Sequence, residues 1–273
     1  MNAPLEHLRA DEADLERRFG GLRRLYGDVG YARVRAARVA VVGLGGVGSW
    51  AVEALARSGV AELTLVDLDH VAESNINRQV QATSATLGMA KVQALAERVH
   101  QIHPGCVVHR VEAFVDGDNW PALLPYPVDA LIDACDQVRA KAALAAWALQ
   151  ARVPFVSVGA AGGKRLAQAV VVADLATATY DPLLASLRQR MRKQHGAARE
   201  GAIGVRCVFS RETVAMPLAA DGATNPALEG GLNCHGYGSS VTVTATFGMV
   251  ASGEIFALLL GRPDSARLDA HII

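Results

Sequence analysis

Apolar positions along the chain fall into short blocks, and most of these blocks are continuous rather than alternating. Residues 38–43 (RVAVVG) read as a strand buried on both faces and ended by glycine. Residues 47–58 follow as a helix with small side chains on one side. Residues 61–67 (AELTLVD) form a second strand that ends in an acid. Residues 88–103 predict a helix closed by Pro104. Further strands are expected at 107–113, 129–133 and 153–158, with helices at 118–124 and 138–151 between them. This alternation predicts an α/β fold, a doubly wound and mostly parallel sheet with helices on both faces. Residues 1–37 predict charged helices. Beyond Gly163 the pattern loosens into a strand at 168–174, a basic helix at 182–194 and a strand at 205–210. These read as a C-terminal extension of the same fold.

One apolar run, residues 238–260, carries Glu254 as its only charge and is long enough to span a bilayer. Ser, Thr and Gly dilute it, and Glu254 in hydrocarbon would cost a few kcal/mol. It therefore reads as a buried element, partly strand at 241–246 (VTVTAT). The first 20 residues are charged and hold no apolar h-region, so a cytoplasmic protein is expected. Lys+Arg and Asp+Glu number 27 each, which excludes a globally basic nucleic-acid packer but not a local basic strip. Cys106, Cys135, Cys207 and Cys234 are far apart and form no CxxC, so neither a paired-cysteine zinc site nor a disulfide framework is indicated.

Chemistry enters with Gly43-Leu-Gly45-Gly46-Val-Gly48, a GxGxxG between a strand and a helix. The glycines permit a tight turn, and backbone N–H groups with the helix dipole favour a phosphate. Asp67 ends the second strand, where a carboxylate accepts from ribose hydroxyls. This pair alone fits a Rossmann-like NAD-dependent oxidoreductase equally well. Asp69, Asn75, Arg78 and Gln79 come directly after that strand, Lys91 opens the next helix, and Asp136 closes Asp133-Ala-Cys-Asp136. A triphosphate needs more neutralisation than a pyrophosphate, and Arg, Lys and a metal-binding carboxylate supply it. Each residue also has a bland reading: Arg78 in a surface salt bridge, Lys91 solvated, Asp136 an N-cap.

GLGGVGSW, the strand ending in Asp67-Leu-Asp69, SNINRQ, Gly88-Met-Ala-Lys91 and DACD together resemble the adenylating domain of the ubiquitin-activating-enzyme superfamily, in its ThiF/MoeB-like branch. The resemblance implies ATP-dependent activation of a carboxylate as an acyl adenylate. Gly43, Gly45, Gly46 and Gly48 would form the nucleotide loop and Asp67 would take the ribose. Asn75, Arg78, Gln79 and Lys91 would line the phosphates and the attack site. Asp136 would position Mg²⁺ and the α-phosphate. It also implies a homodimer and a single adenylating domain over 1–273, with a nucleotide-binding core at about 15–160 and a substrate-facing extension at about 161–273. The paired CxxC motifs usual in ThiF- and MoeB-like proteins are absent. Arg18 matches the first arginine of an N-terminal ATP-binding motif. Gly21 stands where the second is usual, leaving Arg23 or Arg24 as substitutes.

RRFGGLRRLYG, GVRCVFSRE and TNPALEGGLNCHGYGSSVTVTATFG narrow the resemblance to the bacterial tRNA threonylcarbamoyladenosine dehydratase family, over nearly the whole chain. That family implies ATP-dependent cyclisation of a modified adenosine beside the anticodon, tRNA as partner rather than DNA, a monovalent cation (Na⁺ or K⁺) as a further cofactor, and contact with a cysteine-desulfurase/sulfur-acceptor system. Independently, Arg188, Arg190, Arg192, Lys193, Arg199, Arg206 and Arg211 face Glu200 alone between residues 188 and 211. Such a strip suits an RNA backbone or is a solvated helix face, and residues 188–204 read as a mobile loop ordered by RNA. Cys234 is expected to be the one exposed thiol, with His235 beside it. Adenylation of a sulfur-carrier C-terminus stays open as an alternative.

Overall fold

The computed structural model describes residues 13–216 and 237–261. Seven strands run in chain order as β1 (Arg38–Val42), β2 (Glu62–Val66), β3 (Val107–Val111), β4 (Ala130–Asp133), β5 (Phe155–Val158), β6 (Val170–Asp174) and β7 (Arg206–Ser210). They share one sheet in the order β3-β2-β1-β4-β5-β7-β6. All neighbours are parallel except β6 and β7, which are antiparallel. The helices are α1 (Leu15–Phe19), α2 (Gly21–Ala36), α3 (Gly48–Arg57), α4 (Lys91–Ile102), α5 (Val138–Ala151), α6 (Pro182–Gln194) and α7 (Val241–Leu259).

The continuous apolar strands follow from burial on both faces. Val39 and Val41 of β1 join α2, α3, α4 and α7 in one core, while Ala40 and Val42 join α5 and α6 in the other. Register aligns the strand ends: Val42 lies opposite both Val66 and Asp133. Gly43, Asp67 and Ala134 therefore leave the sheet at one edge. The chain order reverses between β1 and β4, and that carboxyl-end crevice is where open α/β sheets take ligands.

Two expected elements are absent from their places. Residues 118–124 form turns, not a helix. Asp116 Oδ1 accepts from the N–H groups of Asp118 and Asn119, and Asn119 Oδ1 accepts from Asp116 N, so side chains compete for the groups a helix would use. Residues 241–246 are helix, not strand. Val243, Phe247, Ala251 and Ile255 recur every four residues and are fully buried, so packing overrides the preference of the Val/Thr run. Gly248 lets α7 press on α3, because a Cβ there would stand 2.5 Å from Val47 O. Glu254 pairs with Arg206 at 2.9 Å. α7 is long and apolar enough to cross a membrane, and half of it is buried against the sheet and α3. The helix expected from residue 88 begins at Lys91, since Ala90 bridges to His70 and Lys91 N donates to Asp69 O.

Candidate active site

The carboxyl ends of β1, β2 and β4 open into a cleft of about 490 Å³. Gly43, Gly45, Gly46, Asp67, Asp69, Asn75, Arg78, Gln79, Lys91 and Asp136 all line it. Gly48 stands behind the loop, where its missing side chain is a packing requirement. A Cβ there would sit 1.8 Å from Gly43 O. At Gly45 a Cβ would meet no atom within 4 Å, so that face of the loop is open to a ligand. No side chain caps the first turn of α3, which leaves N–H groups and the dipole facing the cleft.

Asp67 is held by the backbone: Oδ2 accepts from Leu44 N at 2.6 Å and Oδ1 from Asp69 N at 2.8 Å. Burial raises its pKa above the usual carboxylate range, against the opposing pull of Lys91 and these two N–H groups. Lys91 is buried, not solvated. Its Nζ donates to Asp69 Oδ2 at 2.8 Å and lies 4.0 Å from Asp67 Oδ1. Arg78 is in no salt bridge among the described residues; Nη1 donates to Ser74 O and Asn77 Oδ1. Buried Asn75 accepts from Ala72 N, and buried Gln79 accepts from Gln81 Nε2. Asp136 is exposed and has no partner among the described residues. Gln137, not Asp136, is the N-cap of α5, which removes the bland reading of that carboxylate.

Other expected residues fall elsewhere. Arg18 does not reach the cleft of its own chain. It donates to Ile102 O at 2.8 Å, at the far end of the α4 helix that Lys91 opens. Arg23 is occupied by Glu16 and Asp28. Arg188 donates to the carbonyls of Leu175 and Ala178, and Arg192 to those of Ala198 and Arg199. Asp174 accepts from Ile203 N and Gly204 N. The loop after α6 is thus tied down at both ends. Arg190 is half-buried and Lys193 exposed on α6, where neither is engaged in the described structure.

The cysteine reading changes as well. Cys135, not foreseen as a site residue, lines the cleft. Burial, then Asp133, pushes its thiol pKa well above the ordinary value. Burial lifts Cys106 to about 12 and raises Cys207 as well, so all three thiols are held largely protonated at neutral pH. Cys234 and His235 lie outside the described residues. Spacing also gave no sign of Lys141, whose Nζ is fully buried against Asp133 at 2.9 Å beneath the cleft.

A ThiF family profile matches residues 18–271. The chain belongs to the ThiF family. Within it, this ThiF chain is 43% identical over 253 residues to the tRNA threonylcarbamoyladenosine dehydratase of Escherichia coli, covering 90% of this chain and 94% of that one. A crystal structure of the E. coli tRNA N6-threonylcarbamoyladenosine dehydratase in complex with ATP superposes with a TM-score of 0.81 at 39% identity, covering 93% and 98%. The molybdopterin-synthase adenylyltransferase of E. coli is 38% identical, but only over 47% of this ThiF chain and 51% of its own length.

Proposed function

We propose that this protein is an ATP-dependent tRNA threonylcarbamoyladenosine dehydratase. The observation that carries the reading is the meeting of Asp67, Arg78, Lys91 and Asp136 in one cleft beside an uncapped helix start. The dehydratase resemblance covers 90% of the chain, whereas the molybdopterin-synthase adenylyltransferase resemblance covers 47% to 59% of it. That difference favours tRNA over a sulfur-carrier tail as the substrate.

In this reading Asp67 accepts from the ribose, and the loop N–H groups with the α3 dipole hold the phosphates. Arg78 and Lys91 stabilise charge that grows on the α-phosphate as the threonyl carboxylate attacks it. That step forms the acyl–phosphate bond and releases pyrophosphate. A nucleophile within the modification then attacks the acyl carbon and expels AMP, closing the ring with net loss of water. No enzyme thiol is needed. Asp136 would hold Mg²⁺ jointly with phosphate oxygens. A single carboxylate suffices because nucleotide-bound Mg²⁺ draws most of its ligands from phosphate and water. No group of three His, Cys, Asp or Glu side chains suited to a metal occurs among the described residues, which agrees with a metal carried in by the nucleotide.

We read residues 1–273 as one adenylating domain, with the nucleotide core at about 15–160 and the extension at about 161–273 facing tRNA. Arg190, Lys193, Arg199 and Arg211 have no side-chain partner among the described residues, which leaves them to meet phosphates. A homodimer is part of this reading, with Arg24 as the substitute for the second motif arginine that would reach a neighbouring copy's cleft, since Arg23 is held by Glu16 and Asp28. A monovalent cation is part of the reading without assigned ligands. The test is mass spectrometry of nucleosides from threonylcarbamoyl-modified tRNA incubated with protein and ATP. A product lighter by one water is expected, and an unchanged nucleoside overturns the reading.

A further inference from the structure

Beneath the cleft floor lies a charged group that the reaction scheme does not use. Lys141, in the first turn of α5, has no exposed surface, and neither has Asp133 at the end of β4. Lys141 Nζ donates to Asp133 Oδ2 at 2.9 Å and to Val158 O at 2.7 Å at the end of β5; Ser157 Oγ stands 3.4 Å away. Ser157 Oγ donates to the same Asp133 oxygen at 2.7 Å. The other oxygen, Oδ1, turns to the loop: it accepts from Cys135 N at 3.2 Å and from Cys135 Sγ at 3.0 Å. The next residue is Asp136.

Burial of two unlike charges is a poor way to gain stability, because desolvation offsets most of their attraction. Burial works against the ammonium of Lys141, yet Asp133 and the neighbouring Cys135 and Cys207 together outweigh it and hold the lysine pKa above its ordinary value. The geometry shows what the pair fixes. One carboxylate ties α5 and the β5 end on one side and the Cys135 backbone on the other. Asp136 itself has no partner among the described residues, so its placement depends on the loop that carries it.

We propose that Lys141 and Asp133 are positioning residues, which together with Ser157 pin the Ala134–Cys135 turn so that the Asp136 carboxylate is held in the nucleotide cleft. Neither touches substrate. The proposal rests on the role proposed for Asp136, and its test includes one reading that needs no turnover.

Lys141→Met alone strands a buried carboxylate and can unfold the protein. The informative variant is therefore Asp133→Asn with Lys141→Met, which removes both charges at similar volume. Three measurements are made, with melting temperature as the control for folding. ATP affinity measured in EDTA, where Asp136 holds no metal, is expected to stay within about threefold of wild type, since Gly45, Asp67 and Lys91 are untouched. The kcat of ATP–pyrophosphate exchange with modified tRNA is expected to fall about 10- to 100-fold, as for other residues that act by orienting a ligand group. Alkylation of Cys135 in nucleotide-free protein, read by peptide mass spectrometry, is expected to speed up several-fold as its thiol leaves Asp133. A folded double variant with wild-type kcat and wild-type Cys135 alkylation overturns the proposal. If the wild type shows no exchange at all, the function reading fails, while the alkylation result still decides whether the turn is pinned.

Discussion

Replacing Gly45 and Gly48, one at a time, by alanine separates binding from folding. At Gly48 the added methyl would lie 1.8 Å from Gly43 O, 2.9 Å from Gly43 C and 3.3 Å from Ala134 Cβ. The first contact is backbone, so the strand end and the start of α3 must part by more than an ångström. Overpacking of that kind costs roughly 3 kcal/mol or more, a large share of the stability of an ordinary domain. At Gly45 the methyl meets nothing within 4 Å, and the residue is not in the left-handed region. Its substitution should leave stability within about 1 kcal/mol, and the lower entropy of the unfolded chain favours alanine slightly. The methyl does, however, occupy the face that a phosphate would approach. Loss of that approach should weaken ATP binding by about tenfold or more, ~1.4 kcal/mol. Calorimetric titration with ATP and thermal melting with and without ATP read both effects. Gly45→Ala should melt like wild type and lose the ATP-induced rise, while Gly48→Ala should melt early. Wild-type ATP affinity in Gly45→Ala would refute the assignment of that face to the nucleotide.

Four further outcomes are expected. Asp136→Ala should stay folded, because the side chain has no partner among the described residues, and should lose adenylate formation by roughly 10²-fold or more in pyrophosphate exchange. Reversing the charge of Arg190 and Lys193 should weaken tRNA binding and reduce the log–log salt slope by roughly 0.7–0.9 per lost phosphate contact. Arg188→Glu should instead lower the melting temperature, since Arg188 supports the Leu175 and Ala178 carbonyls. His103 is held neutral, its pKa lowered from 6.5 to about 4 by burial and then by Arg35. The unfolded chain takes up the proton first as pH falls, so this group's share of stability is present above pH 6.5 and is lost between 6.5 and about 4. Thermal melts over that window should be shallower in His103→Gln, and parallel curves would contradict the assignment.

The strands were legible because a sheet covered on both faces needs mostly apolar runs, and β1, β2, β4 and β5 are such runs, with Thr64, Asp133 and Ser157 as single buried polar residues. The cleft was legible because strand–glycine–helix grammar places its residues at strand ends, so Asp67, Arg78, Lys91 and Asp136 arrive together. What sequence could not show was which charges are consumed inside the fold. Arg188 and Arg190 are two residues apart on one helix, yet one holds carbonyls and the other is unengaged. Lys141 looked like any helix lysine, because its partners Asp133 and Ser157 belong to different strands and meet it only through sheet order. The 241–246 run failed differently. Its Val/Thr content favours strand locally, and only the four-residue spacing carried on through Phe247, Ala251 and Ile255 reveals the helix that packs on α3.

The charge inventory of the cleft carries one more consequence. Asp67, Asp69 and Asp136 face only Arg78 and Lys91 among its charged lining, with His70 beside them. Lys91 is already committed to Asp69 at 2.8 Å. A triphosphate brings several further negative charges to a site that is itself slightly acidic. The uncapped α3 start offsets only a fraction of this, on the order of half a charge. Binding should therefore depend on a divalent cation entering with the nucleotide, and Asp136, the unpartnered carboxylate, should be where that dependence lies. Removing its charge should act in opposite directions in the two conditions. With Mg²⁺, Asp136→Asn should bind ATP more weakly than wild type. In EDTA it should bind ATP more tightly, because one repelling carboxylate is gone. Titrations of both proteins with ATP, with and without Mg²⁺, read this crossing directly. Equal wild-type affinity in both conditions, or no gain for Asp136→Asn in EDTA, would show that the repulsion is neutralised elsewhere and that Asp136 does not hold the metal.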